Sequence, residues 1–531
     1  MNSQFIRLKV VVLFVLIVVT AQLLSAQSGA PVLRDPEVSF GDQGISQPVI
    51  LMHEGKAVGV PHEKPIGRVH PDKPVTGVDS HVQTAPVTAS TTTASGLNFL
   101  GVGVGFPNFS PDAAPPDTNG AVGATQFVEW VNESFAVFDK TTGALLKGPI
   151  AGNQLFQALG ASHPCAVNND GDPIAQYDKG NNRWVMTQFS VTNGNSVGYW
   201  QCVAVSQTND ATGAFNVYAF QQPNFNDYPK LGVWNTGYFV TFNIFSGNSF
   251  QGPRICALDG AAMRAGTAAM QQCFQLSNSF GSVLPSDIDG TIAPPAGTDP
   301  YFAAFGSSIL DVWRFHADFA NPGNSTLTGP ITTAIASFSE ACSGGSCIPQ
   351  PNTRQQLDSL GDRLMYRFAY RHFADGHEAL VVNHSVAVSR TVKSGVRWYE
   401  LRPNATTGGL SLFQQGTFAP DSNSRWMASV AQDKVGNIVA GYSVSSSSVF
   451  PSIRFAFRTA TDPAGTLGSE TSIVAGSGSQ LKNLNRWGDY SALTVDPVDD
   501  CTFWYVNEYE QSSGTFNWST RVASFKLANC Q

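Results

Sequence analysis

The sequence predicts an all-β protein, a single seven-bladed β-propeller of four-stranded antiparallel blades. Three observations predict it: a divergent block that recurs seven times, a scarcity of charge, and a wealth of turn residues. Charged residues make up 13% of the chain, against roughly 25% in ordinary soluble domains. Glycine is abundant, at 50 residues.

The recurring block has one grammar. A polar loop residue, usually Asp, leads into a short apolar strand. A turn rich in Asp, Asn, Gly or Pro follows, then a strand of aromatic and β-branched residues, which is the hairpin signal. The block is read in PPDTNGAVGATQFVEWVN from Pro115, GDPIAQYDKGNNRWVMTQF from Gly171 and NDYPKLGVWNTGYFVTFN from Asn226. It continues in SDIDGTIAPPAGTDPYFAAFG from Ser286 and GDRLMYRFAYRHFADGHEALVV from Gly361. The last two copies are SRWMASVAQDKVGNIVAGYS from Ser424 and RWGDYSALTVDPVDDCTFWYVNEY from Arg486. Its markers Asp117, Asp172, Asp227, Asp289, Asp362, Arg425 and Arg486 recur roughly every 60 residues, a period that fits propeller blades.

Further strands such as SVGYWQCVAVS, ILDVWRFHAD and IRFAFRTATDP complete each unit. The seventh unit stops soon after its third strand, at Cys530. Conversely, LNFLGVGVGF (97–106) precedes the first block and has no unit of its own. It is expected to supply the outer strand of the seventh blade and close the ring, because closure leaves no long unpaired edge. A tandem of β-sandwiches would account for the alternation but not for the repeated block.

Residues 1–26 hold Arg7 and Lys9, an apolar run from Val10 to Val19, and small residues around Ser25 and Ala26. That order reads as a secretory signal. The run is short for a membrane span of roughly 20 residues. Residues 27–96, rich in Pro, His, Lys and Asp, are expected as a flexible leader or propeptide, and the propeller as 97–531. His53, His62, His70 and His81 read as solvated tail histidines.

An exported chain with an even number of cysteines implies disulfides. Spacing alone leaves their connectivity open. Sequential pairing is preferred, Cys165–Cys202, Cys256–Cys273, Cys342–Cys347 and Cys501–Cys530, since each pair would staple one local unit. A net charge of −8 without a basic block gives no reason to expect a nucleic-acid or anionic-membrane partner. No membrane span and no oligomer are expected of a closed ring.

The phrases DTNGAVG, DYPKLGVW, GDRLMYR and RWGDYS carry a resemblance over nearly all of 97–531. The chain resembles a group of uncharacterised secreted proteins of soil and predatory bacteria, which implies a propeller and carries over no activity. More loosely it is similar to the sialidase-like propeller superfamily. There DPVDDCTFW resembles an Asp-box, and AQDKVGNIVAGY a degraded one. The full Asp-box order is kept in no blade, and PRICA around Arg254 does not supply the Arg-Ile-Pro signature. Sialidases are also six-bladed, so the resemblance implies architecture only.

In a propeller, the loops leading into the innermost strands ring one mouth of the channel. Asp117, Asp172, Asp227 and Asp287 or Asp289 would form an acidic arc there. Asp362 beside Arg363, then Arg425 and Arg486 with Asp489, would form a basic one. Arg363, Arg425 and Arg486 could clamp a carboxylate by forked hydrogen bonds, with Asp172, Asp289 and Tyr228 also binding. Asp117, Asp227, Asp362, Asp489 and Tyr490 are the catalytic candidates for acid–base or nucleophilic work. The competing reading is architectural, since loop Asp and Arg residues also hold neighbouring blades in register.

Calcium candidates are Asp170 and Asp172 in NNDGDP and Asp287 and Asp289 in SDIDG, where carboxylates stand two apart near Gly. No other cofactor is expected. His372, His377, Glu378 and His384 lack zinc-site spacing and read as a hairpin tip with solvated histidines. Two functional readings follow. One is a secreted propeller that binds a glycan or protein ligand at the channel mouth. The other is a glycoside hydrolase or lyase acting on an acidic polysaccharide.

Overall fold

A computed structural model describes residues 30–55, 61–69, 76–88, 91–191, 198–388 and 393–531. The expected signal at 1–26 and His70 lie outside these described residues. The fold is all-β. Each copy of the block begins an antiparallel four-stranded unit, and the first strands are β1 (Asn119–Val122), β2 (Ile174–Asp178), β3 (Phe225–Trp234), β4 (Leu284–Asp289), β5 (Met365–His372), β6 (Ser424–Gln432) and β7 (Ala492–Val495). They lie side by side in that order, and β7 returns to β1. β4 and β5 pair in parallel, Ser286 opposite Phe368 and Asp289 opposite Arg371, which merges two units into one sheet.

The strands read as near-continuous apolar runs because the units cover each other on both faces. Arg183–Val191 is buried at all but its two ends. Aromatic side chains fill the seams between units. Phe127 stacks on Trp504 with centroids 5.3 Å apart, Phe455 on Phe525 at 3.8 Å, and Trp426 meets Trp487 at 5.8 Å. Such pairs add about 0.5–1.5 kcal/mol each beyond their buried area.

Four disulfides join Cys165–Cys202, Cys256–Cys273, Cys342–Cys347 and Cys501–Cys530, the sequential pairing. No described helix is long and apolar enough to cross a membrane. His384 corrects its expectation. It is fully buried, meets the Tyr399 hydroxyl at 2.9 Å, and burial pushes its pKa well down. The strand alternation of HEALVVNHS places it inward, far along the strand from the turn.

The segment expected as a flexible leader is, over its described residues, a strap around the units. Val32–Leu33, Glu37–Phe40 and Asp42–Ile45 each add a strand to the outer edge of the fourth, third and second units in turn. Gly55 bridges to Ile150 of the first unit. Val82–Gln83 then pairs with the outermost strand of the fifth unit, and Val87 bridges to Gly468 beside the sixth. These two- to four-residue pieces are too short to signal strands by themselves. They form because an edge is already waiting for them.

The strap is fixed to the fifth unit by a buried ion pair. Asp79 meets Arg397 Nη2 at 2.5 Å, and Asp79 Oδ2 accepts from Thr417 at 2.6 Å. The strap ends as Thr93–Leu100, paired antiparallel with Trp518–Leu527 as the fourth strand of the seventh unit. The expected strand at 97–106 is therefore displaced toward the N-terminus. Gly101 follows it where only glycine fits, since a Cβ there would run into the Glu129 carboxylate and the Thr520 hydroxyl.

Glu129 clasps this junction. Its Oε2 accepts from the Val102 amide at 2.8 Å, its Oε1 lies 2.5 Å from Thr520 Oγ1, and Thr520 Oγ1 in turn donates to Val102 O at 2.8 Å. The Thr520 hydroxyl thus has two acceptors within reach, the Glu129 carboxylate and the Val102 carbonyl. Burial pushes its pKa up to about 7, against a lesser lowering by Thr520 and Val102.

Two predictions follow from these contacts. The folded pKa of Glu129 lies above the ordinary value of 4.5, so its stabilisation is complete below that value and is lost as pH rises through about 7. The loss amounts to about 3 kcal/mol. Thermal unfolding of Glu129→Gln should therefore decline less than wild type between about pH 5 and about pH 8.5. Equal declines would refute the clasp. Asp79→Ala leaves the Arg397 guanidinium buried without its counter-charge, which should cost about 3–5 kcal/mol. Limited proteolysis should then cut the strap faster around residues 76–88.

Candidate functional site

The leading ends of β1, β2, β3 and β7 converge on one point. Asp117, Asp172, Tyr228, Met427 and Gly488 share a left-handed backbone kink, with φ between 41° and 53°. A non-glycine residue held there costs roughly 1–3 kcal/mol and persists only when its surroundings impose it. The kink shifts register within the strands. Bulges fall between Asp227 and Lys230 in β3 and between Trp426 and Ser429 in β6. Hence Tyr228, Met427 and Gly488, rather than Asp227, Arg425 and Arg486, take the position held by Asp117 and Asp172.

Three carboxylates meet below the kinks. One oxygen each from Asp117, Asp172 and Asp489 lies within 4.8 Å of the others, and all three residues are buried. Asp489 is paired with the Arg486 guanidinium. Asp117 Oδ1 and Asp172 Oδ2 have no protein donor. Burial first, then repulsion from Asp489 and Asp172, pushes the Asp117 pKa well up. Burial and Asp489 push Asp172 up as well. Asp227, buried beside them with an unpartnered Oδ2, is pushed up to about 7 by burial and then by Asp172.

Lys230 stands at the centre of this group, and sequence reasoning missed it. Its Nζ donates to the Pro229 carbonyl at 2.9 Å and sits 3.3 Å from the Tyr228 ring centroid and 4.1 Å from that of Tyr490. Burial lowers its pKa to about 8, against the pull of Asp172, Asp489 and Asp117. The signal was present as a lone Lys inside the apolar run DYPKLGVW. The three carboxylates are the one cluster with metal-site spacing among the described residues. Lys230 and Arg486 already supply positive charge there.

The other predicted residues divide clearly. Tyr228 Oη donates to the Asp489 carbonyl at 3.1 Å, and Tyr490 Oη to the Pro173 carbonyl at 2.9 Å. Both rings are buried posts that tie opposite units together, and burial pushes both phenols well above their usual range. Arg363 binds its neighbour Asp362 through Nε at 2.8 Å and Nη2 at 3.1 Å, and its guanidinium lies over Tyr228.

Asp287 and Asp289 are not presented to a calcium ion. Arg367 donates to Asp287 at 2.7 Å and to Asp289 at 3.0 Å, Lys179 donates to Asp289 at 2.8 Å, and the Val233 amide takes Asp287 Oδ1 at 2.9 Å. Burial raises the Asp289 pKa, but Arg367 and Lys179 outweigh it and hold the group well below the usual carboxylate range. Asp170 caps the Val191 amide at 2.7 Å and is pushed up to about 6, chiefly by burial. Arg425 does not join the cluster. It is engaged by Glu470 at 2.7 Å and Asp421 at 2.8 Å within the sixth unit.

Residues 61–69 of the strap lie across these groups. His62 and Lys64 donate their backbone amides to Asp112 and Ala114 carbonyls at 2.8 and 2.7 Å, in a short parallel pairing. Arg486 Nε donates to the Lys64 carbonyl at 2.9 Å and Arg363 Nη2 to the Gly67 carbonyl at 2.9 Å. Lys64 Nζ reaches Glu133 at 3.0 Å and the Asp170 carbonyl. A cleft of 410 Å³ lies on one side of the segment, against Asp362, Arg363 and Arg486. A second of 1140 Å³ also borders the segment, against Phe225, Phe245 and Phe250.

No protein-family model and no curated protein matches the chain. Among solved structures it is similar to a protein of unknown function from Dyadobacter fermentans DSM 18053, with TM-score 0.28 and 12% identity over 67% of this chain and 94% of that one. It is also similar to a xylan β-1,4-xylosidase from Bacillus halodurans C-125, with TM-score 0.30 and 8% identity over 78% and 98% of the two chains. A PL25 ulvan lyase, bound to -[GlcA(1-4)Rha3S]-, gives TM-score 0.35 and 11% identity over 81% and 96%. These low scores leave function to the geometry of the site itself.

Proposed function

We propose that the chain is a secreted, monomeric seven-bladed β-propeller, its ring closed by Thr93–Leu100, that binds a glycan or protein ligand at the mouth of its channel. The cyclic order of β1 to β7 supports the ring, and four disulfides fit an oxidising compartment. The observation that carries the binding reading is the buried, incompletely satisfied charge at the leading ends of β1, β2, β3 and β7. Leaving buried carboxylate oxygens without donors costs free energy. The Arg367 pairs with Asp287 and Asp289 show what a satisfied buried set looks like. Asp117, Asp172 and Asp227 are not so satisfied, and perturbed groups of this kind gather at functional sites.

One observation favours a second reading, a glycoside hydrolase or lyase working on an acidic polysaccharide. Asp227 at about 7 and Lys230 at about 8 both lie near neutral pH, where general acids and bases work best. In that reading Asp227 is the acid, a carboxylate of the Asp117, Asp172 and Asp489 group is the base, and Lys230 with Arg486 offsets the substrate's carboxylate.

Glycan and protein arrays test the first reading, probed with the wild-type chain and with a chain whose residues 61–69 are replaced by Gly and Ser in equal number. Asp172→Asn and Arg486→Ala should weaken capture at least ten-fold. Arg183→Ala, at a hairpin turn on the far end of β2, should leave it unchanged. Equal capture by all variants would remove the site from the mouth. For the second reading, acidic polysaccharides are assayed for new reducing ends and unsaturated products. Activity should fall at least a hundred-fold in Lys230→Met and Asp227→Asn at unchanged melting temperature. No product from either parent chain ends the enzymatic reading.

A further inference from the structure

Residues 61–69 are held as a bound peptide is held. The mouth's side chains grip the segment's main chain, with Arg486 on the Lys64 carbonyl, Arg363 on the Gly67 carbonyl, and Asp362 Oδ2 3.4 Å from the Val69 amide. Pairing of His62–Glu63 beside Ala113–Ala114 adds the main-chain ladder of strand addition. Side chains supply the selectivity. Lys64 enters the acidic corner formed by Glu133 and the Asp170 carbonyl, within the field of Asp172. Gly67 passes where a Cβ would run into the Phe245 ring. Arg68 Nη1 donates to the Ser343 carbonyl at 2.8 Å.

The segment crosses the mouth without filling it. Clefts of 410 and 1140 Å³ border it, whereas a strand built into a core is packed on both sides. Beneath it remain the unpartnered oxygens of Asp117, Asp172 and Asp227. The contacts are therefore those of an occupant in a groove that would accept another of the same chemistry.

From this we infer that the mouth is a recognition groove for an extended polypeptide carrying Lys-x-x-Gly-Arg, and that residues 61–69 are its tethered internal competitor. The inference rests on the proposed binding role of the mouth and narrows its ligand to a protein segment. Two arginines spaced for main-chain carbonyls three residues apart, Lys64 and Gly67, match a polypeptide repeat. The acidic corner selects a lysine ammonium, and the Phe245 wall selects glycine.

The test is binding in trans of a fluorescent peptide, PHEKPIGRV, measured by anisotropy. The probe should bind saturably to the chain with residues 61–69 replaced by Gly and Ser. Wild type, whose groove is occupied, should bind it at least ten-fold more weakly. Peptides with Lys64→Ala or Gly67→Val should lose at least ten-fold on the opened chain. A folded opened chain that ignores the probe, or binds a scrambled peptide equally well, overturns the inference. If that opened chain captures glycans in a manner dependent on Asp172, the binding role of the mouth stands and only its peptide chemistry falls. Should the opened chain fail to fold, full-length Lys64→Glu replaces it. Its own segment is repelled by Glu133, so it should bind the probe at least ten-fold more tightly than wild type, and no difference overturns the inference.

Discussion

An unpaired strand edge is the problem this architecture solves at most of its units. Each four-stranded sheet ends in an outer strand with a free row of amides and carbonyls, a template for aggregation. The second, third and fourth units receive a fifth strand from residues 32–45, and the fifth unit receives Val82–Gln83. The seventh lacks a fourth strand from its own stretch of chain and takes Thr93–Leu100. The last of these pairings joins the end of the strap to the last strand of the described chain. Glu129, reaching from the first unit to Val102 and Thr520, locks that sheet against its neighbour. Sheets that are covered on both faces and paired along their edges can tolerate a low surface charge.

Buried charge stands in two settings in this molecule, paired with an opposite charge or crowded with its own kind. Arg367 pairs with Asp287 and Asp289 across the seam between the fourth and fifth units, Arg397 pairs with Asp79 of the strap, and Arg425 pairs with Glu470 inside the sixth unit. In each set the carboxylate offsets the desolvation of the guanidinium, which is the condition for a buried pair to persist. The group around Lys230 differs. Three carboxylates crowd one space and Asp227 adds a fourth, and burial with mutual repulsion drives up the pKa values of Asp117, Asp172 and Asp227. Nothing in holding units together requires that crowding. It also lies where the left-handed kinks at Asp117, Asp172 and Tyr228 concentrate strain.

Much of this was legible in the sequence because turn chemistry and strand alternation are local. The seven blocks mark the seven first strands, and sequential cysteine pairing follows from hairpins that bring near neighbours together. The finer register was not legible. Aligning on the first charged residue selected Asp227, Arg425 and Arg486, yet the kink falls one or two residues later, at Tyr228, Met427 and Gly488. A shift of one residue in a strand turns every side chain to the other face. In β3, where the kink falls one residue past Asp227, that shift brings Lys230 into the group. The strap was illegible for a different reason. EVSF and DQGI have no pattern long enough to form a sheet alone, and their strand character is conferred by edges far away in sequence.

The strap also bears on the binding proposed at the mouth. It is anchored before the mouth by Glu54, 3.1 Å from Lys147, and after it by Asp79 on Arg397. A segment held between two such anchors acts at an effective concentration in the millimolar range. Residues 61–69 therefore need little intrinsic affinity to stay seated, and half-exposed contacts such as His62 with Glu133 are adequate for the purpose. In the proposed reading an external ligand must outcompete that tethered occupant, so apparent affinity at the mouth is set by the anchors as much as by the groove. Edge protection and access to the site are carried by one continuous stretch of chain. A change that loosens the rim, far from Lys230, is then felt at the mouth without any contact between them.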